Sequence, residues 1–267
     1  GSGIKIRERI NPSGTIGYRV SVLPSLSKRA AVELLQCSSL KAAKELAEEK
    51  LRIYLRLGNR GKELTADAMC RTADALEMLG LFKDPELQSH LERFMEHPTP
   101  RVRANALMGL AQIPEGQQSY QQHVEEILRN GDSTLVASVL YVIGKLGDRS
   151  MVPAVTRFYE TNRTRSEPRI QGPLAWAMVR LNISGGFNEF KELLSSENGT
   201  DRGADGLHYF AQLELNLQLD LVRFIVLQER NNPQALKTLE SLLMTSGYDF
   251  SQELQYYHVL TESLAID

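Results

Sequence analysis

Residues Asp84–Ile113 read DPELQSHLERFMEHPTPRVRANALMGLAQI, and this stretch decides the fold. Asp84 before Pro85 marks a helix start, because a carboxylate can accept an orphan backbone N–H and a proline at the first helical position lacks only a donor that would be unused. Leu87, Leu91, Phe94 and Met95 recur at helical spacing and form one apolar stripe. Pro98 and Pro100 break the pattern, and Thr99-Pro100 repeats the cap-then-proline device. Val102, Ala106, Leu107 and Leu110 then carry a second apolar stripe. The stretch is a helix, a tight turn and a helix.

Working outward, the same unit recurs. Before it, Thr65–Leu79 places Met69, Ala73, Leu76 and Leu79 on one side and stops at Gly80. After it, Gln117–Arg129 offers Tyr120, Val124, Ile127 and Leu128. A helix from Gly131-Asp132-Ser133 offers Leu135, Val139, Leu140 and Ile143 and ends at Gly147. Asp148 caps another, with Val152, Val155, Phe158 and Tyr159. Val102, Leu107 and Leu110 fall on Leu135, Leu140 and Ile143 at an offset of 33, and those fall on Ile170, Ala175 and Met178 at a further 35. Helix pairs at this spacing bury their apolar faces only by stacking on their neighbours, which is the mark of an α-solenoid. The C-terminal third is less regular. Gly199–Gly206 reads as a polar loop, Phe210–Leu227 as one long helix with Phe210, Leu213, Leu217, Leu221 and Phe224 on a face, and 233–244 and 251–265 as closing helices.

The string HPTPRVRANALMGLAQI resembles the first helix of a HEAT repeat: a turn with Pro, then Val102-Arg103, then Ala106-Leu107, then Leu110. The later copy matches more loosely, with Val136 where the arginine would stand. The resemblance, to the HEAT-like repeats that include the PBS-lyase type, covers about 63–195. It implies a right-handed superhelix whose second helices line a concave surface. It also implies that Arg103 bonds an acidic residue between repeats. The expected fold is therefore mainly α, a HEAT-like α-solenoid of antiparallel helix pairs, preceded by a short β-hairpin and helix.

Residues 4–62 differ from the rest, and Gly1-Ser2-Gly3 reads as a cloning remnant. Ile4, Ile6 and Ile10 alternate with Lys5, Arg7 and Arg9, and Ile16, Tyr18, Val20 and Val22 alternate in turn, across the turn-prone Asn11-Pro12-Ser13-Gly14. Period two about such a loop predicts a hairpin. Residues 28–37 read as a third strand or a short helix, and 40–57 as a helix capped by Ser38 or Ser39. Residues 1–62 hold 13 Lys/Arg against 5 Asp/Glu, whereas 63–267 hold 18 against 28. A basic segment on an acidic body contacts nucleic acid or packs on that body. The strands and helix look like the small arm-binding module of phage-type integrases, a resemblance that would make Tyr18, Arg19, Lys28 and Arg29 DNA contacts.

The chemistry a sequence can announce is thin here. There is no Gly-rich phosphate loop, no Gly-x-Ser-x-Gly elbow and no His-Glu-x-x-His pair. The five histidines, His90, His97, His123, His208 and His258, are scattered, and His97 reads as a support for a helix end. Two cysteines, Cys37 and Cys70, do not cluster with histidines as a zinc site requires, and free buried thiols point to a reducing compartment. HEAT-like glycosylases need paired tryptophans, whereas this chain has one, Trp176, on an apolar face; HEAT-like hydroxylases need repeated His-Glu pairs, which are absent. No run reaches the ~18–20 apolar residues of a membrane span.

The expectation is a non-enzymatic, cytoplasmic scaffold without cofactor or metal. It would bind a protein partner on the concave face of residues 63–267 and form part of a larger protein. Polar positions of the helix before the central turn, Gln88, Glu92 and Arg93, are the candidate contacts, with Arg163, Arg165 and Arg169 as a second, cationic set for an acidic partner. The alternative is nucleic-acid binding through 4–57.

Overall fold

The computed structural model describes residues 5–10, 16–21, 41–42, 45–46, 48–49, 72–73, 75–77, 79–80, 82–162, 167–195 and 202–229. Among these the fold is mainly helical, and two compact units divide the chain, Gly1–Val142 and Ile143–Asp267. The expected boundary at 62/63, the cysteines and both closing helices lie outside the described residues.

In the first unit, strands β1 (Lys5–Ile10) and β2 (Ile16–Ser21) pair antiparallel, with Lys5 opposite Ser21 and Ile10 opposite Ile16. Helical backbone at residues 41–49 matches the expected helix where it is described. Helical residues described at 72–73, 75–77 and 79–80 follow, then α1 (Gln88–Glu92), α2 (Pro100–Gln112), α3 (Gln117–Asn130) and the start of α4 (Ser133–Leu146). Proline-led 3-10 turns, Pro85–Leu87 and Pro114–Gly116, open α1 and α3 and touch one another.

The helix starts follow from capping chemistry. Asp84 Oδ1 accepts the Glu86 N–H at 3.0 Å, and Asp132 Oδ1 accepts those of Thr134 and Leu135, both at 3.0 Å. Thr99 departs from expectation. It occupies the cap position of α2, yet its side chain makes no cap bond. The Thr99 N–H instead donates to His97 Nδ1 at 3.1 Å. Two prolines flank Thr99 and leave its N–H as the donor to be satisfied in Pro98–Pro100, so the histidine takes the role of support that its place before Pro98 suggested.

The apolar stripes meet as the repeat requires. Leu87, Leu91, Phe94 and Met95 are buried, as are Val102, Ala106, Leu107, Leu110, Tyr120, Val124, Ile127 and Leu128. Each such aliphatic side chain contributes about 1.5–3 kcal/mol on leaving water. α2 packs on α1 and on α3. Gly80 also has a packing role. A Cβ placed there would lie 2.3 Å from the Cα of Gly109, so the two backbones cross in near contact, which only glycine permits.

The second unit holds the end of α4, then α5 (Val152–Asn162), α6 (Pro168–Arg180), α7 (Gly186–Ser195), α8 (Arg202–Ala211) and α9 (Leu215–Glu229). α4 ends before Gly147, whose φ of +62° is the left-handed stop the sequence announced. Asp148 Oδ1 accepts the Ser150 N–H at 3.0 Å and starts the turn into α5. α6 packs on α5, α7 and α8, and α7 on α8 and α9. First and second helices of successive pairs therefore stack within this unit as far as residue 229.

Two expectations fail in the C-terminal third. Gly199–Gly206 is not a loop throughout, because α8 begins at Arg202. Phe210–Leu227 is not one helix: α8 ends at Ala211 and α9 starts at Leu215. The Leu213 N–H turns back to the Phe210 carbonyl at 3.0 Å, and Gln218 Nε2 donates to that same carbonyl at 2.9 Å, satisfying a helix-end acceptor. The break is what lets α8 lie on α6 while α9 lies on α7, and it buries Phe210, Leu213, Leu221 and Ile225.

Candidate interaction surface

Because the apolar positions are consumed by stacking, any recognition chemistry falls on the polar residues left outside. In the first unit these line α1 and α3. Gln88 and Glu92 are half-buried and tied to each other, Gln88 Nε2 donating to Glu92 Oε1 at 2.9 Å across one helical turn, while Arg93 is exposed. The touching 3-10 turns set the start of α3 beside that of α1. α3 exposes Gln118, Gln122, Glu125, Glu126 and Arg129, an amide- and carboxylate-rich row that the sequence reading did not single out. Its signal was present in QQSYQQHVEEILRN, where the buried Tyr120, Val124, Ile127 and Leu128 leave those positions on the opposite face.

The second cationic set is only partly visible. Arg169 is exposed in the first turn of α6, and Arg163 and Arg165 lie outside the described residues, as do Lys28 and Arg29. Tyr18 and Arg19 stand in β2, opposite Glu8 and Arg7. Of the pairing that the repeat resemblance implied for Arg103, the described residues show one guanidinium atom. Its Nε is buried and meets no hydrogen-bond acceptor among the described residues.

Several polar links that sequence reading missed join residues 30 or more apart, where spacing carries no signal. Tyr159 Oη donates to Glu189 Oε1 at 2.7 Å, tying α5 to α7, and Lys191 Nζ donates to Gln228 Oε1 at 3.1 Å, tying α7 to α9. Arg180 donates from Nε to the Gly144 carbonyl at 3.0 Å and from Nη1 to Glu214 Oε1 at 2.7 Å, with its guanidinium 6.0 Å from the Trp176 ring. Trp176 itself is 3% exposed and packs 5.9 Å from the Tyr209 ring, a core residue as its place on an apolar face implied.

Two titrations are displaced. Burial lowers the His97 imidazole below its ordinary value. Burial, then the charge of Glu77, raise the Tyr141 phenol, and Arg101 opposes them. Glu77 is itself buried. Among the described residues no three His, Cys, Asp or Glu side chains converge as a metal site would need, and no helix is long and apolar enough to cross a membrane.

With helix pairs, caps and stacked faces in place, the family comparison decides. The family described as HEAT repeats matches over residues 66–143. Over this stretch the chain is similar to HEAT repeats. The match spans the helical residues described within 72–80 and α1 to α3, with most of α4. No curated protein matches the chain. Among solved structures, the complex of CpcE and CpcF of phycocyanin lyase from Nostoc sp. PCC7120 is 16% identical, covering 85% of this chain and 97% of that one at a TM-score of 0.37. An engineered protein is 15% identical, covering 83% and 97% at 0.32. Scores this low carry no argument about fold or role, and the likeness rests on the family match.

Proposed function

We propose that this protein is a non-enzymatic scaffold that binds a protein partner on the polar faces of its second helices. The observation that carries this reading is the division of labour in the HEAT repeats: α2 and α3 spend their apolar positions on stacking, while α1 and α3 hold polar side chains outside. Gln88, Glu92 and Arg93 form the proposed first contact, extended by Gln118, Gln122 and Glu125. Arg163, Arg165 and Arg169 form a separate cationic contact for an acidic segment of a partner. A reducing, cytoplasmic setting suits the scattered Cys37 and Cys70.

Affinity capture with the full chain, followed by binding measurements on the captured partner, tests the reading. Arg93→Glu combined with Gln122→Glu is expected to weaken binding at least about tenfold, the loss of one or two good polar contacts. Unchanged affinity in that variant moves the contact off these helices. A hydrolase, lyase or transferase activity that survives purification and maps to a defined cluster of side chains overturns the scaffold reading altogether. The excess of cations over anions in residues 1–62 supports a second reading, duplex DNA binding through Tyr18, Arg19, Lys28 and Arg29. Phosphate contacts lose affinity steeply with salt. Absence of binding to any duplex at low salt removes that reading.

A further inference from the structure

The joint between α3 and α4 holds a pair of residues that the scaffold reading does not use. Asn130 is the last residue of α3 and is exposed, and Gly131 and Asp132 alone separate it from Ser133, where α4 begins. Gly131 sits at φ −71° and ψ 156°, an extended backbone open to any residue. Space demands the glycine. A Cβ there would lie 2.6 Å from the Ile127 carbonyl oxygen, 3.0 Å from Ile127 Cγ2 and 3.3 Å from Val136 Cγ2. The Gly131 N–H donates to that same carbonyl at 2.8 Å and closes α3. The close approach of α3 and α4 therefore puts a glycine directly after an exposed asparagine.

We propose that Asn130-Gly131 is a built-in deamidation site, gated by the hydrogen bond that closes α3. The Gly131 nitrogen, giving up its proton to solvent, bonds to Asn130 Cγ; the Cγ–Nδ2 bond breaks, and the amide nitrogen leaves as ammonia. Water then opens the resulting succinimide at either carbonyl, giving aspartate or isoaspartate. Nothing is oxidised or reduced, and water is the co-reactant. Residue 131 has no side chain to shield the attacking nitrogen, so the brake is the fold itself. The nitrogen is tied to Ile127, and the helical backbone at Asn130 must unwind before the ring can close. Fraying of the last turn of α3 meets both conditions, and helix ends are where local opening is easiest. Either product sets a carboxylate at the C-terminal end of α3, where the macrodipole favours cations. It also adds an anion close in sequence to Asp132, whose Oδ1 accepts the Thr134 and Leu135 N–H groups at 3.0 Å to start α4. Isoaspartate further lengthens the backbone of a connection made of Gly131 and Asp132 alone. The modification loosens α3 from α4.

The full chain is aged in mildly alkaline buffer at body temperature, beside a sample held unfolded in urea. Peptide mapping by mass spectrometry reads conversion at Asn130, and enzymatic methylation reads isoaspartate. The map is needed because Asn198-Gly199 is a second such pair in the sequence. Conversion at Asn130 is expected in both samples, with isoaspartate the major product. The folded chain should convert more slowly by the protection factor of the Gly131 amide in hydrogen exchange, to within roughly a factor of ten. No conversion at Asn130 in the unfolded sample, equal rates in the two, or a folded chain that stays intact far beyond the time so predicted overturns the site. The converted fraction carries the second readout. It should unfold at lower urea than fresh protein, with faster amide exchange in the first turn of α4, whereas Asn130→Gln aged alike should show neither change. An unchanged midpoint in the converted fraction, or an equal loss in aged Asn130→Gln, overturns the loosening of the joint. Should the variant misfold, the two wild-type rates still decide.

Discussion

Gly80→Ala isolates the crossing that joins the segment at 72–80 to α2. The added carbon would sit 2.3 Å from Gly109 Cα, 2.8 Å from its oxygen and 2.9 Å from its carbonyl carbon. Carbon atoms attract best at about 3.5–4.0 Å, so the two backbones must part by more than an ångström. No side chain can turn away to make room, because the obstructing atoms belong to the main chain. Parting the helices loosens the packing of buried Leu76, Leu79 and Leu107 near the crossing. Overpacking of this kind costs about 1–3 kcal/mol. The gain from replacing a helical glycine is at most about 1 kcal/mol. A net loss of about 1–2 kcal/mol is expected. The comparison variant is Gly109→Ala. Its new carbon would meet the Leu76 carbonyl and a Leu91 methyl at 3.0 Å; the methyl can rotate, and the glycine removed lies in the helix interior. It should cost less than Gly80→Ala. Urea unfolding followed by circular dichroism gives the midpoints, and amide exchange in α2 shows where stability is lost. A Gly80→Ala protein as stable as wild type, with α2 protection unchanged, refutes the close crossing.

Two further outcomes follow from the geometry. Arg180→Ala removes a charge-assisted bond to the Gly144 carbonyl and the guanidinium near Trp176, and should cost about 1.5–3 kcal/mol. Glu214→Ala removes only an ion pair whose carboxylate is 64% exposed and should cost under about 1 kcal/mol; equal losses in urea unfolding would place the value in the ion pair instead. Tyr141 has a folded-state value raised above 10.0. Its contribution is therefore complete below that pH and lost as pH rises through the folded value, a loss that Tyr141→Phe should abolish in melts above about pH 10.

The candidate surface was legible only as a remainder. Gln88, Glu92 and Arg93 could be named because they fall opposite Leu87, Leu91 and Phe94 on a helical wheel, and the α3 row follows by the same subtraction. Nothing in the sequence said that Gln88 and Glu92 bond each other, or that the turns before α1 and α3 touch.

By itself the sequence determined the helix starts, stops and apolar stripes, because these depend on neighbours within about four residues: Asp84, Asp132 and Asp148 as caps, Gly147 as a stop, Leu135 and Leu140 repeating Val102 and Leu107. The tertiary structure alone decided where α8 and α9 separate, because one carbonyl, that of Phe210, is satisfied by Gln218 from the next helix. It alone decided that Gly80 is a crossing point and that Arg180 reaches Gly144, since both depend on which helices meet. Short-range hydrogen bonding fixes the elements of this chain, and the meeting of faces distant in sequence fixes how its side chains are used.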